Sequence, residues 1–156
     1  LLLDAGGSMD DHSLRVDELF SAAKAEFKHL EHYHFHNCLY EAVWRDNRRR
    51  WSEQTPTWDL LNRFGRDWKV IFVGDASMSP YEIVAPGGAG EHWNPESGET
   101  WLRRAAATWP DHVWLNPVPE AHWHHTSSIG MIGQLFPGRM LPLTLEGLTK
   151  ATRLLG

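Results

Sequence analysis

A chain of 156 residues with 42% hydrophobic and 22% charged residues can build one well-packed domain and not two substantial ones. Its formal charge of -5 removes the global electrostatic case for nucleic-acid binding, and no apolar run reaches the roughly 20 residues of a membrane span. The single cysteine, Cys38, excludes an internal disulfide and fits a reducing, cytoplasmic setting.

The chain opens on Leu1-Leu2-Leu3-Asp4, an apolar strand that delivers a carboxylate, followed by a glycine turn and the hydroxyl of Ser8. Because it starts inside a strand with no initiator Met, it reads as the C-terminal part of a longer protein. Val16, Leu19, Phe20, Ala23, Phe27 and Leu30 recur at helical spacing, which predicts a helix over residues 10–30 with Asp10 and Asp11 in its first turn. Residues 32–36 and 39–44 read as two strands around a short break, forming a hairpin. Thr55-Pro56-Thr57 then looks like a hydroxyl cap followed by Pro at the first helical position. Residues 69–75 form a strand apolar on both faces and again end in a carboxylate, Asp75.

From Ala76 to Glu99 the chain is rich in Pro, Gly and Ser, with one helical turn expected at residues 81–84. Beyond it, a helix over 100–109, a strand over 112–116, a helix over 127–136 and a short strand over 140–143 are expected. Thr144 caps a closing helix whose apolar positions are Leu145, Leu148, Ala151 and Leu155. Alternation of this kind predicts an α/β domain with a mostly parallel six-stranded sheet, covered on both sides. Its strand order is 3-2-1-4-5-6, with the third strand an antiparallel edge. Asp4 and Asp75 then meet where the order reverses, which is where open α/β sheets bind ligands. The alternative is that both carboxylates merely cap neighbouring helix N-termini.

Asp4-x-Gly6-x-Ser8, Thr55 before a short helix, and Gly74-Asp75 after an apolar strand resemble the metal-ion-dependent adhesion site of von Willebrand factor type A domains. The order of elements is similar across essentially the whole chain. The segment from Asp4 to Asp11 and the runs Phe35-His36-Asn37, Thr55-Pro56-Thr57-Trp58 and Gly74-Asp75-Ala76-x-Met78 resemble the bacterial, CoxE-like branch of that family. The resemblance implies a three-layer α/β/α, Rossmann-like fold and a non-catalytic module that binds proteins with the help of Mg²⁺ or Mn²⁺. It further implies Ser8, Asp4 and Asp75 as metal ligands, Thr55 as the hydroxyl from a second loop, and Thr57 as its substitute. A carboxylate from a partner protein would complete the shell, and a MoxR-type AAA+ ATPase is the companion that branch suggests. Gly6 departs from the family pattern, which has a serine there, so one hydroxyl ligand is missing.

Other signals carry less. His32, His34 and His36 alternate on one strand face, and His122, His124 and His125 cluster, but neither group has a cysteine partner. His36, at the strand's carboxyl end, suits a supporting role at the Asp4 site. Asp10 and Ser77 are the further residues close enough in sequence to assist or substitute. Arg48, Arg49, Arg50, Trp51, Trp58 and Trp93 are the candidate partner-contact residues, since polar loops carrying Trp and Arg suit interface anchors. An aspartyl-phosphate phosphatase would need an acid where Gly6 stands, and a dinucleotide site would need glycines that Gly6-Gly7 does not supply. The best enzyme alternative is a metal-dependent hydrolase using Asp4, Asp75 and His36.

Overall fold

The expected strands are present, and one more joins them. The computed structural model describes residues 1–87 and 93–156. One mixed sheet contains β1 (Leu2–Asp4), β2 (Tyr33–Phe35), β3 (Ala42–Trp44), β4 (Gln54–Pro56), β5 (Val70–Val73), β6 (His112–Asn116) and β7 (Met140–Pro142). Their order is β4-β3-β2-β1-β5-β6-β7. β1 pairs in parallel with both β2 and β5, so it sits at the switch point, and β6 and β7 continue the parallel half.

Two expectations are corrected here. β3 is antiparallel to β2 as expected, but it is not the edge, because β4 pairs with it in turn and the sheet has seven strands. Thr55 lies opposite Val43 and Pro56 opposite Ala42. Proline has no N–H to give a ladder, and an outermost strand needs none on its open side. The helix α2 (Thr57–Arg63) therefore begins at Thr57, with Pro56 outside it as the N-cap.

The first helix is also shorter than its apolar period. Gly6 and Gly7 both take positive φ, 81° and 57°, and turn the chain into a 3-10 segment over Gly7–His12 that buries Met9. α1 (Ser13–Glu26) starts only then, and Phe27 leaves it with extended backbone. The remaining helices are α3 (Pro80–Val84), α4 (Gly98–Thr108), α5 (Ser127–Leu135) and α6 (Leu145–Leu155), the last capped by Thr144 as expected.

Strand side chains alternate between two hydrophobic clusters. Leu2, Phe35, Phe72 and Trp114 face Leu60, Ile83, Trp101, Leu102, Ile129 and Ile132 of α2, α3, α4 and α5. Leu3, Val73, Val113, Leu115 and Leu141 face Val16 of α1 and Ala151 of α6. Both faces of the sheet are therefore covered, which explains why β5 and β6 carry no polar alternation. Trp114 lies parallel to Phe72 at 5.4 Å between ring centres. Among the described residues, no helix is long and apolar enough to cross a membrane.

Candidate functional site

The register of β1 and β5 determines what happens at their carboxyl ends. Leu3 lies beside Val73, so Asp4 comes level with Gly74 and Asp75 follows one residue later. A side chain at Gly74 would meet the Asp4 Cβ at 3.0 Å and Trp114 at 3.2 Å, so glycine is what permits this close approach. The Trp114 indole donates to the Gly74 carbonyl at 2.9 Å and fixes the strand end from which Asp75 departs.

Asp4 and Asp75 are both buried, at 4% and 1% exposure. Ser8 is exposed at the rim and donates its hydroxyl to Asp75 Oδ2. Asp75 Oδ1 accepts from the Ser77 backbone N–H at 3.1 Å, and its carbonyl accepts from Asn116 Nδ2 at 3.0 Å. Asp4 Oδ1 accepts the backbone N–H of Asn37 at 2.8 Å, but Oδ2 is buried with no hydrogen-bond partner. Burial pushes the Asp4 carboxyl well above the usual carboxylate range; the Asn37 bond opposes this, the Asp75 charge adds to it, and Arg49 weakly opposes it.

Three of the expected ligands, Asp4, Ser8 and Asp75, thus meet at the switch point, and Gly6 lies in their loop. Thr55 does not join them: β4 is three strands from β1, about 14 Å at ordinary strand spacing. It instead lines a cleft of about 380 Å³ with Tyr33, Asp59 and Arg63. Thr57 is fully buried and gives its hydroxyl to the Tyr40 carbonyl. Asp10 is exposed in the 3-10 turn, and Ser77 closes the Asp75 loop by donating to the Asp75 carbonyl at 3.2 Å.

His36 lies beside the site, its Nδ1 bonded to the Ala5 carbonyl at 2.8 Å and its ring 3.5 Å from where a Gly7 side chain would be. The donors present suit a hard divalent ion: two carboxylates and a hydroxyl, with one carboxylate oxygen buried and unpartnered. Among the described residues, no three His, Cys, Asp or Glu side chains are grouped to hold a metal by themselves.

The partner-contact candidates separate. Trp51 and Trp93 are 63% and 73% exposed, whereas Trp58 is half-covered, packed edge-on to Trp101 at 5.2 Å with the Arg104 guanidinium 4.9 Å from its ring. Arg48 and Arg50 are exposed, and Arg50 pairs with Glu53 at 3.7 Å. Arg49 turns inward instead: its Nη2 lies 2.6 Å from the point a Gly6 Cβ would occupy. Of the long loop expected over 76–99, residues 88–92 lie outside the described residues.

Sequence reasoning missed the supports of the site. Asn37 holds Asp4 from a left-handed backbone (φ 63°), and its own amide donates to Glu82 Oε1 at 3.0 Å. Glu82 Oε2 in turn accepts the Ser79 backbone N–H at 3.1 Å, as part of the capping box that starts α3. Ser128 ties α5 to the same region by donating to the Ala76 carbonyl at 2.7 Å. An asparagine in the break after a strand was the available signal, because Asn tolerates the left-handed region better than most residues. In comparisons with models of known families, with characterised proteins and with solved structures, the chain matches none.

Proposed function

We propose that the chain is a three-layer α/β/α domain of the von Willebrand A type, serving as a non-catalytic module that binds a protein partner with the help of a divalent cation. The observation that carries this reading is the union of Ser8 with Asp75 beside a second buried carboxylate, Asp4, whose Oδ2 has no partner. A buried, unpaired carboxylate oxygen is costly unless it takes up a proton or something cationic satisfies it, and a divalent ion can replace that proton. Asp4, Ser8 and Asp75 are the residues that would hold Mg²⁺ or Mn²⁺. Such an ion supplies an open coordination position for a partner's carboxylate.

The chain's own residues do the rest. Asn37 and Ser77 fix one oxygen of each carboxylate through backbone N–H groups, and Trp114 fixes the strand end between them. Ser8 stands at the exposed rim, so the site is open on the side from which a partner arrives. Exposed Trp51 and Trp93 offer apolar anchors on polar loops. A MoxR-type AAA+ ATPase is the partner class to test. Co-purification with such an ATPase is expected in Mg²⁺, and to be lost in EDTA and in the Asp4→Ala, Asp75→Ala double variant. Equal recovery under all three conditions would refute the reading.

A further inference from the structure

The middle arginine of the turn between β3 and β4 behaves differently from its neighbours. Arg48 and Arg50 are exposed, whereas Arg49 is half-buried. Its backbone is left-handed (φ 51°), and its Nη1 donates to the Asn47 carbonyl at 2.8 Å and to Asn47 Oδ1 at 3.0 Å. These bonds hold the guanidinium so that Nη2 covers Gly6, 2.6 Å from a notional Cβ. Any side chain at position 6 would occupy that space, so the glycine and the arginine fit each other. Gly6 lies two residues after Asp4, whose buried Oδ2 has no hydrogen-bond partner, and the Arg49 charge acts in the direction that favours the ionised Asp4 carboxyl.

We propose that Arg49 is a built-in counter-cation for the Asp4–Asp75 pair, which a divalent ion entering the site must displace, so that ion binding releases the 45–50 turn. This rests on the reading of Asp4, Ser8 and Asp75 as a cation site. Two cations cannot share that space cheaply, because the guanidinium and an entering divalent ion repel each other while competing for the same carboxylate. Release of the turn would free a basic segment, Arg48 to Arg50, next to exposed Trp51. Ion binding and presentation of a surface for acidic partner groups would then be one event.

The test is calorimetric titration of MnCl₂ into wild type, Arg49→Gln, Arg49→Lys and Asp4→Ala, with tryptic cleavage within the 45–50 turn as a second readout. Arg49→Gln is expected to bind the ion severalfold tighter than wild type. Arg49→Lys keeps the charge and should stay near wild type, and Asp4→Ala should lose binding. Cleavage of the wild-type turn should quicken when the ion is added, and that of Asp4→Ala should not. Equal or weaker binding by Arg49→Gln, with wild type still binding, overturns the counter-cation and leaves the cation site standing. No binding by any variant, Arg49→Gln included, overturns both.

Discussion

Removing the negative charge of Asp4 should stabilise the ion-free protein, although Asp4 is a central residue of the site. Asp4→Asn keeps an oxygen to accept the Asn37 N–H, bonded at 2.8 Å in the wild type, and eliminates the ionisation. The sign follows from linkage. Burial raises the native carboxyl above its ordinary value of 3.8, so between 3.8 and the native value the folded state holds a proton that the unfolded state has released. The stability this proton contributes is complete below pH 3.8 and is lost as pH rises through the native value. Across that window the loss runs at about 1.4 kcal/mol per pH unit for one group.

Urea unfolding of wild type and Asp4→Asn, in EDTA and over a pH series starting near 3.8, measures the difference directly. Titrating groups not coupled to Asp4 cancel in the comparison. Asp4→Asn should gain on wild type steadily with pH and then level off. Adding Mg²⁺ at neutral pH should raise wild type alone, because only the native dicarboxylate binds it. A stability difference that is constant with pH, or that moves in favour of wild type, would refute the buried-carboxylate argument.

Three further outcomes follow from single contacts. Thr57→Val should cost about 1–3 kcal/mol in urea unfolding, by leaving the Tyr40 carbonyl without its donor, while leaving Mn²⁺ affinity unchanged. A parallel loss of ion binding would instead return Thr57 to the ligand set. Trp114→Phe should cost a similar 1–3 kcal/mol, approximately, through the orphaned Gly74 carbonyl, and should also weaken Mn²⁺ binding because the Asp75 loop departs from that residue. Gly6→Ala should destabilise by about 1–3 kcal/mol, since its φ of 81° and ψ of 173° belong to a region used almost only by glycine. Unaltered stability would mean that the loop can rearrange away from Arg49.

The two halves of the site differed in how far they could be read. Asp4 and Asp75 were legible because each ends an apolar run, and β1 and β5 have to be neighbours once a switch point is assumed. Thr55 was misread because Thr-Pro-Thr satisfies two local rules at once. Proline suits the first turn of a helix and equally an outermost strand, and only the pairing of Val43 with Thr55, a non-local contact, decides between them. Arg49 was recognised as part of a basic patch, but its direction depends on a backbone angle that no side-chain pattern encodes.

Among the described residues, the non-glycine positions with positive φ are Asn37, Arg49 and Ala76. Each costs about 1 kcal/mol or more relative to an ordinary conformation. They come from three separate connections: those after β2 and β5 open beside Asp4 and Asp75, whereas β3 runs antiparallel and its connection leaves from the other end of the sheet, sending only the Arg49 side chain towards the loop that follows Asp4. Asn37 bonds Asp4, Arg49 covers Gly6, and Ala76 follows Asp75. A fold selected for stability alone has no reason to set two left-handed residues directly against one pair of buried carboxylates and aim the side chain of a third at their loop. That arrangement at the switch point is an argument for function there that does not depend on which ion, if any, the carboxylates hold.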